Sequence, residues 1–425
     1  ALPISNTYSG DTTLADSGGT LEISGVLGSG SYSGAISLGS SSTISIASAS
    51  NQTLSGVISG TGQVSKSAAG TLTLSATNTY EGATTILGGT ISISSDRNLG
   101  AVPATFTAAA LSINGGTLSA SESLSLDTAR GITLGTNDAT LTVASGKTLT
   151  AASVIAGLSG ADLTKSGTGT LSVTASNTYV GTTTVSQGIV DVGNATGLGG
   201  SSSGQGTTVS TNAEVSVANA GGLTIAEPLT ISGTGVSSAG ALRSGTGANT
   251  WSGAITLAAN AEIEVANQIS WVSTLALSGG VSGAFKLTME TVGTGAATIS
   301  GAIATGTGSL EKTGTGTLTL SAANTYTGVT QISAGVVMLS GSGRLADTTA
   351  VTVDSGATFD LNDITDTVGS IAGAGSITLG SGTLTAGGDA TSTTFSGVIS
   401  ETGGFTKAGD RKSTRLNSSH EWISR

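Results

Sequence analysis

Lys312-Thr-Gly-Thr-Gly-Thr-Leu-Thr-Leu-Ser-Ala-Ala-Asn-Thr-Tyr-Thr-Gly-Val-Thr-Gln-Ile-Ser-Ala-Gly335 is the stretch that decides the fold of this chain. Two further copies run from Lys66 to Gly89 and from Lys165 to Gly188. In each copy the lysine precedes the tyrosine by 14 residues, whereas the distance between copies varies. Fixed spacing within a unit and free spacing between units indicate a solenoid, in which whole coils are added between modules.

Four residue types recur at fixed places in the copies. They are Lys66, Asn78, Tyr80 and Gly82, then Lys165, Asn177, Tyr179 and Gly181, and finally Lys312, Asn324, Tyr326 and Gly328. Asparagine and glycine both tolerate the backbone conformations of a sharp corner, which a tyrosine ring can cover. We therefore expect these twelve positions to be structural.

The segments around these corners alternate between polar and apolar residues. Residues 43–46, 71–75 and 317–321 place an apolar side chain at every second position, which predicts strands with one buried face. A flexible linker rich in glycine and serine would not keep this period. Because β-branched residues and glycine dominate the chain, we expect almost no helix.

In the third copy we predict three short strands, at residues 317–320, 330–333 and 336–339, separated by corners. Together they would form one coil of a parallel β-helix of roughly 20 residues per coil. A second recurring slot supports this fold. Its large residue precedes Ser-Gly-(Ala or Val)-Ile and is Tyr32, Leu54, Trp251, Ile299 or Phe395. A position that accepts all of these selects size and apolarity, so we predict that it packs in the core.

The two ends of the chain differ from the repeats. Residues 411–425 contain four of the 14 basic residues, the only histidine (His420) and Trp422. Residues 410–419 resemble a translated sequencing or cloning adapter, and residues 1–4 resemble its upstream counterpart. We therefore predict three segments: adapter-derived residues 1–4, a β-helix over residues 5–410, and an adapter-derived tail, 411–425.

The charge balance disfavours nucleic acid as a partner. Without residues 411–425 the chain has 10 basic and 24 acidic residues, a net charge of 10 − 24 = −14, and it has no basic stripe. The absence of cysteine suits an exported protein that crosses a membrane without forming disulfides, and it also suits any protein of a reducing compartment.

Residues 306–335, with their Lys-Thr-Gly-Thr-Gly-Thr-Leu-Thr-Leu and Asn-Thr-Tyr-Thr-Gly motifs, resemble the autotransporter-associated β-strand repeat, also called the passenger-associated transport repeat. This repeat occurs in the passenger domains of Gram-negative type V secreted proteins. The resemblance implies an all-β, right-handed parallel β-helix with three faces, forming a single elongated rod. It also implies export to the cell surface or medium and, in complete proteins, an outer-membrane β-barrel.

Known catalytic arrangements are poorly represented. With His420 assigned to the tail, the body of the chain has no histidine, which excludes a Ser-His-Asp triad. The enzymatic alternative is a polysaccharide-binding or polysaccharide-degrading β-helix. Its best candidate site is Glu262 and Glu264, two carboxylates on one strand face near Trp251 and Trp271. Glutamates that alternate with inward apolar residues are also the expected solvent face of such a strand.

Asp360, Asp363 and Asp366 form the densest carboxylate cluster and suggest weak calcium binding. Their spacing matches neither an EF-hand loop nor a glycine-rich calcium repeat, so a solvated coil edge is the stronger interpretation.

The sequence therefore predicts a non-catalytic structural or adhesive passenger fragment, without metal or cofactor, that forms a rigid stalk at the surface of a Gram-negative bacterium. Host or environmental glycans or surface proteins are the expected partners, and the fragment itself would not contact the membrane. Rows of outward threonine and serine would suit glycans or ice, but any soluble β-helix also presents polar rows.

Overall fold

The computed structural model describes residues 6–16, 18–157, 160–200, 205–266 and 273–409. The segments predicted to be adapter-derived, 1–4 and 411–425, lie outside the described residues, as does Trp271. The described chain is built from short β-strands and three 3-10 turns, at Gly28–Gly30, Asp96–Leu99 and Val236–Ser238. The expectation of almost no helix is confirmed. None of the helical turns in these ranges is long and apolar enough to cross a membrane.

The chain divides into two compact units, residues 1–208 and 209–425. The strands of the first unit are β1 (Thr12–Leu14), β2 (Thr20–Ile23), β3 (Ser31–Tyr32), β4 (Ile36–Leu38), β5 (Thr43–Ile46), β6 (Gln52–Leu54), β7 (Ile58–Gly60), β8 (Gln63–Lys66), β9 (Thr71–Leu74), β10 (Thr84–Ile86), β11 (Thr90–Ile93), β12 (Thr107–Ile113), β13 (Gly116–Ala120), β14 (Leu124–Leu126), β15 (Arg130–Leu134), β16 (Ala139–Val143), β17 (Thr148–Ala151), β18 (Ile155–Gly157), β19 (Leu163–Ser166), β20 (Thr170–Val173), β21 (Thr183–Val185) and β22 (Gly188–Val192).

Strand β23 (Thr207–Val209) runs across the division. The strands of the second unit are β24 (Ala213–Ala218), β25 (Thr224–Ile225), β26 (Leu229–Gly233), β27 (Leu242–Trp251), β28 (Ile255–Val265), β29 (Ser273–Leu277), β30 (Val281–Ser282), β31 (Leu287–Thr291), β32 (Ala296–Ile299), β33 (Ile303–Ala304), β34 (Leu310–Thr313), β35 (Thr317–Leu320), β36 (Thr330–Ile332), β37 (Val336–Leu339), β38 (Ala350–Val353), β39 (Thr358–Asp360), β40 (Asp366–Val368), β41 (Ser370–Gly373), β42 (Ser376–Thr378), β43 (Thr383–Ala386), β44 (Val398–Ser400) and β45 (Gly404–Lys407).

Successive turns of the chain lie in register on one another. In the first unit, β4, β5 and β6 pair in parallel with β7, β8 and β9, respectively. One turn of chain therefore gives one strand to each of three sheets, and the next turn repeats the pattern about 20 residues later. The second unit pairs its strands in the same way, for example β34 with β36 and β35 with β37. The predicted all-β parallel solenoid is confirmed.

The predicted composition of one coil is wrong. Strands β35 and β37 were expected to lie on different faces of a single coil, but they are hydrogen-bonded neighbours in consecutive coils, with Thr317 opposite Val336. The first side of the coil is instead β34, which contains Lys312 and pairs with β36. The third side carries Asn324 and Tyr326 and has no strand, although the backbone N–H of Thr325 still donates to the carbonyl of Ile303 in the preceding coil.

The interior of each unit is filled by the inward residues of the alternating strands. Pairs such as Leu72 with Leu74 and Leu318 with Leu320 are fully buried. The five residues of the predicted apolar slot, Tyr32, Leu54, Trp251, Ile299 and Phe395, are each at most 1% exposed, which confirms that the slot packs in the core. Burial of this apolar surface drives folding at about 25 cal/mol per Å².

The recurring glycines allow close contact between coils. A Cβ atom on Gly82, Gly181 or Gly328 would collide with a backbone carbonyl of the preceding coil, that of Gly62, Ala161 or Gly308, respectively. A carbonyl held in a ladder cannot move aside as a flexible side chain can, so only glycine fits at these three positions.

We predict that Gly328→Ala lowers the free energy of unfolding by about 2–4 kcal/mol, because its methyl group must push apart two stacked coils. Denaturant unfolding followed by circular dichroism measures this change. The matched control is Gly388→Ala, because a Cβ there meets no atom within 4 Å; a change there of within about 0.5 kcal/mol is expected. Equal stability of the two variants would contradict the close-contact explanation.

Candidate functional site

The three repeat lysines lie inside the solenoid. Lys66, Lys165 and Lys312 have no exposed surface, and each is the last or the penultimate residue of its strand, just before a corner. The Nζ atom of Lys165 donates to the carbonyl oxygens of Gly167 at 2.7 Å and Gln187 at 3.0 Å. These oxygens belong to two consecutive coils, so the ammonium group ties one corner to the next.

The other two copies repeat this arrangement. Lys312 Nζ donates to the carbonyl oxygens of Gly314 at 2.7 Å and Ala334 at 3.3 Å. Lys66 Nζ donates to those of Ser48 and Ala68. Burial lowers the pKa of Lys66, and it lowers the pKa of Lys165 and of Lys312 from 10.5 to about 8. All three ammonium groups donate hydrogen bonds to backbone carbonyl oxygens.

The three repeat asparagines bridge neighbouring coils on the side without a strand. Asn324 Oδ1 accepts from the backbone N–H of Ile303 in the coil before, at 3.0 Å, and its Nδ2 donates to the carbonyl of Arg344 in the coil after, at 2.9 Å. Asn78 bonds to Ile58 and Asn98 in the same way. The corresponding bonds of Asn177 go to Ile155 and Gly197. The buried amide thus replaces the ladder hydrogen bonds that this side lacks.

The three repeat tyrosines are buried and each is paired with the threonine four residues later. The hydroxyl–hydroxyl distances are 2.6 Å for Tyr80 with Thr84, Tyr179 with Thr183 and Tyr326 with Thr330. The rings fill the corner, and the paired hydroxyls satisfy one another without water.

Two structural features were missed by the sequence analysis. Tyr8, in an Asn-Thr-Tyr motif, bonds through its hydroxyl to Thr12 at 2.7 Å, the same four-residue pairing as in the other copies. The motif itself was the signal for a further partial copy. Arg130 is 2% exposed and joins Asp96, at 2.8 Å, to the carbonyl oxygens of Leu99 and Gly100. No sequence pattern indicated these contacts, because Arg130 lies about 30 residues away from its three partners along the chain.

The candidate carbohydrate patch is not open to solvent. Glu262 and Glu264 are each 8% exposed on the outward side of β28, so the expectation of a solvent-exposed face is wrong. Glu264 lies in register between Arg243 and Glu290, and Arg243 Nε is 3.3 Å from its Oε1. Burial, a hydrogen bond to Glu290 and the neighbouring carboxylates raise the pKa of Glu262 to about 7.

Trp251 does not offer its ring to a ligand at this patch. It is 1% exposed in the core, and its Nε1 donates to the carbonyl of Glu227 at 2.8 Å. It belongs to the apolar slot, so its predicted role beside the glutamates is wrong. Trp271 lies outside the described residues. A shallow depression of about 490 Å³ lies elsewhere in this unit, lined by Ala254, Ala302 and residues 278–282.

The three aspartates proposed for calcium do not converge. Asp366 is buried and accepts the backbone N–H groups of Leu345 and Thr367 at 3.0 Å, which leaves it as a structural acceptor. Asp360 and Asp363 line a separate depression of about 420 Å³ with Glu401. Asp363 there accepts the N–H of Ser381 at 2.7 Å. Within the described ranges, no cluster of three acidic or histidine side chains has metal-binding geometry. The weak calcium hypothesis finds no shared site for the three aspartates, and the favoured interpretation of a solvated coil edge fits Asp360 and Asp363 but not the buried Asp366.

The geometry defines a class: a parallel β-solenoid whose recurring polar residues bind coils to one another from the inside. A family model described as the passenger-associated transport repeat matches residues 4–23, 65–93, 163–192 and 310–339. The three predicted copies fall within the last three of these matches, and the first match, residues 4–23, contains Tyr8. The chain thus carries the repeats of autotransporter passengers.

A curated relative is the adhesin BmaC autotransporter of Brucella suis biovar 1 (strain 1330). It is 36% identical to this chain over 111 residues, which are 25% of this chain. The aligned region spans only 3% of the length of that relative. No solved structure matches the chain.

We predict that stability rises between about pH 8 and pH 10. The lysines of the unfolded chain bind protons up to about pH 10.5, whereas buried Lys165 and Lys312 release theirs near pH 8, so the folded state gains relative to the unfolded state as pH increases. Above about pH 10 the trend reverses, because burial raises the pKa of Tyr80 and Tyr326. Urea midpoints measured from pH 7 to pH 10 test this.

The variant for this experiment is Lys165→Met with Lys312→Met, which should flatten the pH dependence. Lys147→Met is the control, since the Lys147 side chain is 36% exposed and pairs with Glu122 at the surface. A pH slope as steep in the double variant as in the wild type would refute the role of these two buried lysines, since Lys66 alone accounts only for a smaller slope.

We predict that Asn324→Ala destabilises the protein by about 2–4 kcal/mol, because it leaves the buried N–H of Ile303 without its acceptor and removes one of the two N–H groups that donate to the Arg344 carbonyl. Asn137→Ala is the matched control at an exposed position, with an expected change of within about 0.5 kcal/mol. Chemical denaturation of both variants is the measurement. A cost for Asn324→Ala no greater than that of the control would show that the bridge contributes nothing.

Proposed function

We propose that residues 5–410 are a fragment of an autotransporter passenger domain with a non-catalytic, structural or adhesive role as a rigid β-helical stalk, flanked by adapter-derived ends. The observation that carries this proposal is the use of the recurring polar side chains. The lysine, asparagine and tyrosine of each repeat are buried and bonded within the solenoid. The family's most specific residues therefore hold coils together and are not available to a substrate.

We also propose that the protein lies outside the cell. Passenger repeats and an adhesin relative support surface exposure or secretion from a Gram-negative bacterium, with an outer-membrane β-barrel in the full-length protein. The solenoid would give that surface a stiff support for adhesion to glycans or surface proteins.

The alternative is a polysaccharide-degrading enzyme that uses the carboxyl pair Glu262 and Glu290. Burial and the neighbouring carboxylates raise the pKa of Glu262 to about 7, and a carboxyl group with such a pKa suits a general acid. However, an acid needs access to substrate, and Glu262 is 8% exposed. We therefore place catalysis second.

We predict that the chain, fused between a signal peptide and an outer-membrane β-barrel, reaches the surface of Gram-negative cells and increases their adhesion to glycan- or mucin-coated plates. Protease accessibility on intact cells measures display, and counts of bound cells measure adhesion. The barrel without the chain and the Gly328→Ala variant are the controls.

Cleavage is measured on the same preparations. Incubation with pectin, chitin and mucin fragments should release no reducing ends. Release that is abolished by Glu262→Gln would overturn the non-catalytic proposal in favour of the enzyme.

A further inference from the structure

One sheet of the first unit carries two straight rows of hydroxyl side chains. The first row consists of Thr71, Thr90, Thr117, Thr140, Thr164 and Thr184, which are opposite one another in consecutive coils. The second row, two residues further along the strands, consists of Thr53, Thr73, Ser92, Ser119, Thr142 and Ser166. We call these twelve residues the hydroxyl grid.

The grid is regular because the strands that carry it pair in an unbroken register. The pairings that build it run from β6 to β21 without a register shift. The inward neighbours of the grid residues, such as Leu72, Ile91 and Leu118, are fully buried and fix the strands. Coils stacked in this way repeat at about 4.8 Å, and the two rows lie about 6.6 Å apart, twice the rise per residue. The surface is a two-dimensional lattice of hydroxyl groups.

The hydroxyls of the grid are largely unused within the protein. Thr142 and Ser166 bond to each other at 2.6 Å, and the other ten side chains make no hydrogen bond within the described residues. All twelve are partly exposed and none is charged. Threonine is stiff at χ1, so its hydroxyl and methyl groups are already ordered before a partner arrives.

The corresponding surface of the second unit is not regular. Its sheet contains Thr-Leu-Thr-Leu in β35, as β9 does, but the rows on either side of Thr317 and Thr319 are interrupted by Ala296, Val336 and Met338. The grid is therefore a feature of one sheet and not of every outward face.

The partner must be flat, periodic and uncharged. Single glycans bind in concave sites lined by aromatic and apolar side chains, and crystalline polysaccharides present ring faces that aromatic residues cover. None of the twelve residues of the grid is aromatic. The oxygens of ice are each donor and acceptor, as each hydroxyl of the grid is, and they repeat in rows at an interval similar to the coil spacing.

We propose that the hydroxyl grid binds the surface of ice crystals. The hydroxyls take positions of the lattice oxygens, and the threonine methyl groups between them remove apolar surface from liquid water. This proposal concerns one sheet of the first unit and does not depend on surface display or on adhesion to glycans.

The test uses the full chain, fluorescently labelled and held over a slowly growing ice surface. We expect the protein to be enriched in the ice and to lower the freezing point below the melting point. Thr73→Tyr and Thr117→Tyr should abolish both effects by lifting the ice from the grid. Thr319→Tyr is the matched control, because it stands in the same Thr-Leu-Thr-Leu strand sequence of the second unit and should keep both effects.

Circular dichroism establishes that each variant folds, and Thr73→Val and Thr117→Val, which keep the side-chain shape and remove the hydroxyl, should weaken binding even if the tyrosine variants misfold. Exclusion of the wild-type chain from ice, or equal losses in Thr73→Tyr and Thr319→Tyr, would overturn the proposal. Binding to crystalline chitin or cellulose without binding to ice would also overturn it and would assign the grid to a polysaccharide. Adhesion measured above the freezing point tests the proposed function separately.

Discussion

The parallel stacking of coils requires that every backbone polar group inside the solenoid find a partner without water. On the sides that have strands, the ladders supply those partners automatically. At the corners, and on the side where Asn324 and Tyr326 lie, the ladder is interrupted and carbonyl oxygens point into a dry interior. An unpaired buried carbonyl or N–H costs about 1–3 kcal/mol, which is comparable to the net stability that a coil of about 20 residues contributes. The lysine and asparagine of each repeat avoid this cost by hydrogen-bonding to those backbone groups.

A buried lysine is an economical solution to this problem. Its ammonium group has three donors, and Lys312 directs them to carbonyls of two consecutive coils. The desolvation that lowers its pKa is the cost of the arrangement. Because the acceptors are backbone oxygens, the bonds do not depend on which outward side chains a coil carries. This explains why lysine keeps its place in copies whose surfaces differ.

Much of the fold could be predicted from the sequence because alternation reports directly which side chains point inward. The same alternation marked the lysines: Leu310 and Lys312 are two residues apart and therefore share the inward side. Because lysine is seldom buried in proteins, the sequence analysis did not predict the burial of these side chains. Trp251 shows the opposite error, since its place in the apolar slot predicted burial correctly while its nearness to Glu262 in sequence suggested a sugar site.

The charged sites could not be predicted, because their environments are set by residues one or more coils away. Glu264 lies against Arg243 and Glu290, about one coil before and one coil after it. The aspartates show the same limit: Asp360 and Asp363 line a depression with Glu401, whereas Asp366, only three residues further on, serves buried N–H groups. Nearness along the chain is a poor guide to nearness in space in a fold where neighbours are one turn apart.

The inner and outer sides of one strand can therefore carry independent functions. In β19, Lys165 points inward and ties two coils, while Thr164 and Ser166 on either side of it belong to the hydroxyl grid. Strand β19, the first strand of the second repeat, lies in the same sheet as β9, the second strand of the first repeat. Strands β11, β13 and β16 lie between them in that sheet. The grid thus includes the second strand of one repeat and the first strand of the next, although these two strands hold different places in their repeats. The repeat motif alone does not explain the regularity of the grid. Strands β11, β13 and β16 lie outside the two copies of the motif, yet they have threonine or serine at both grid positions.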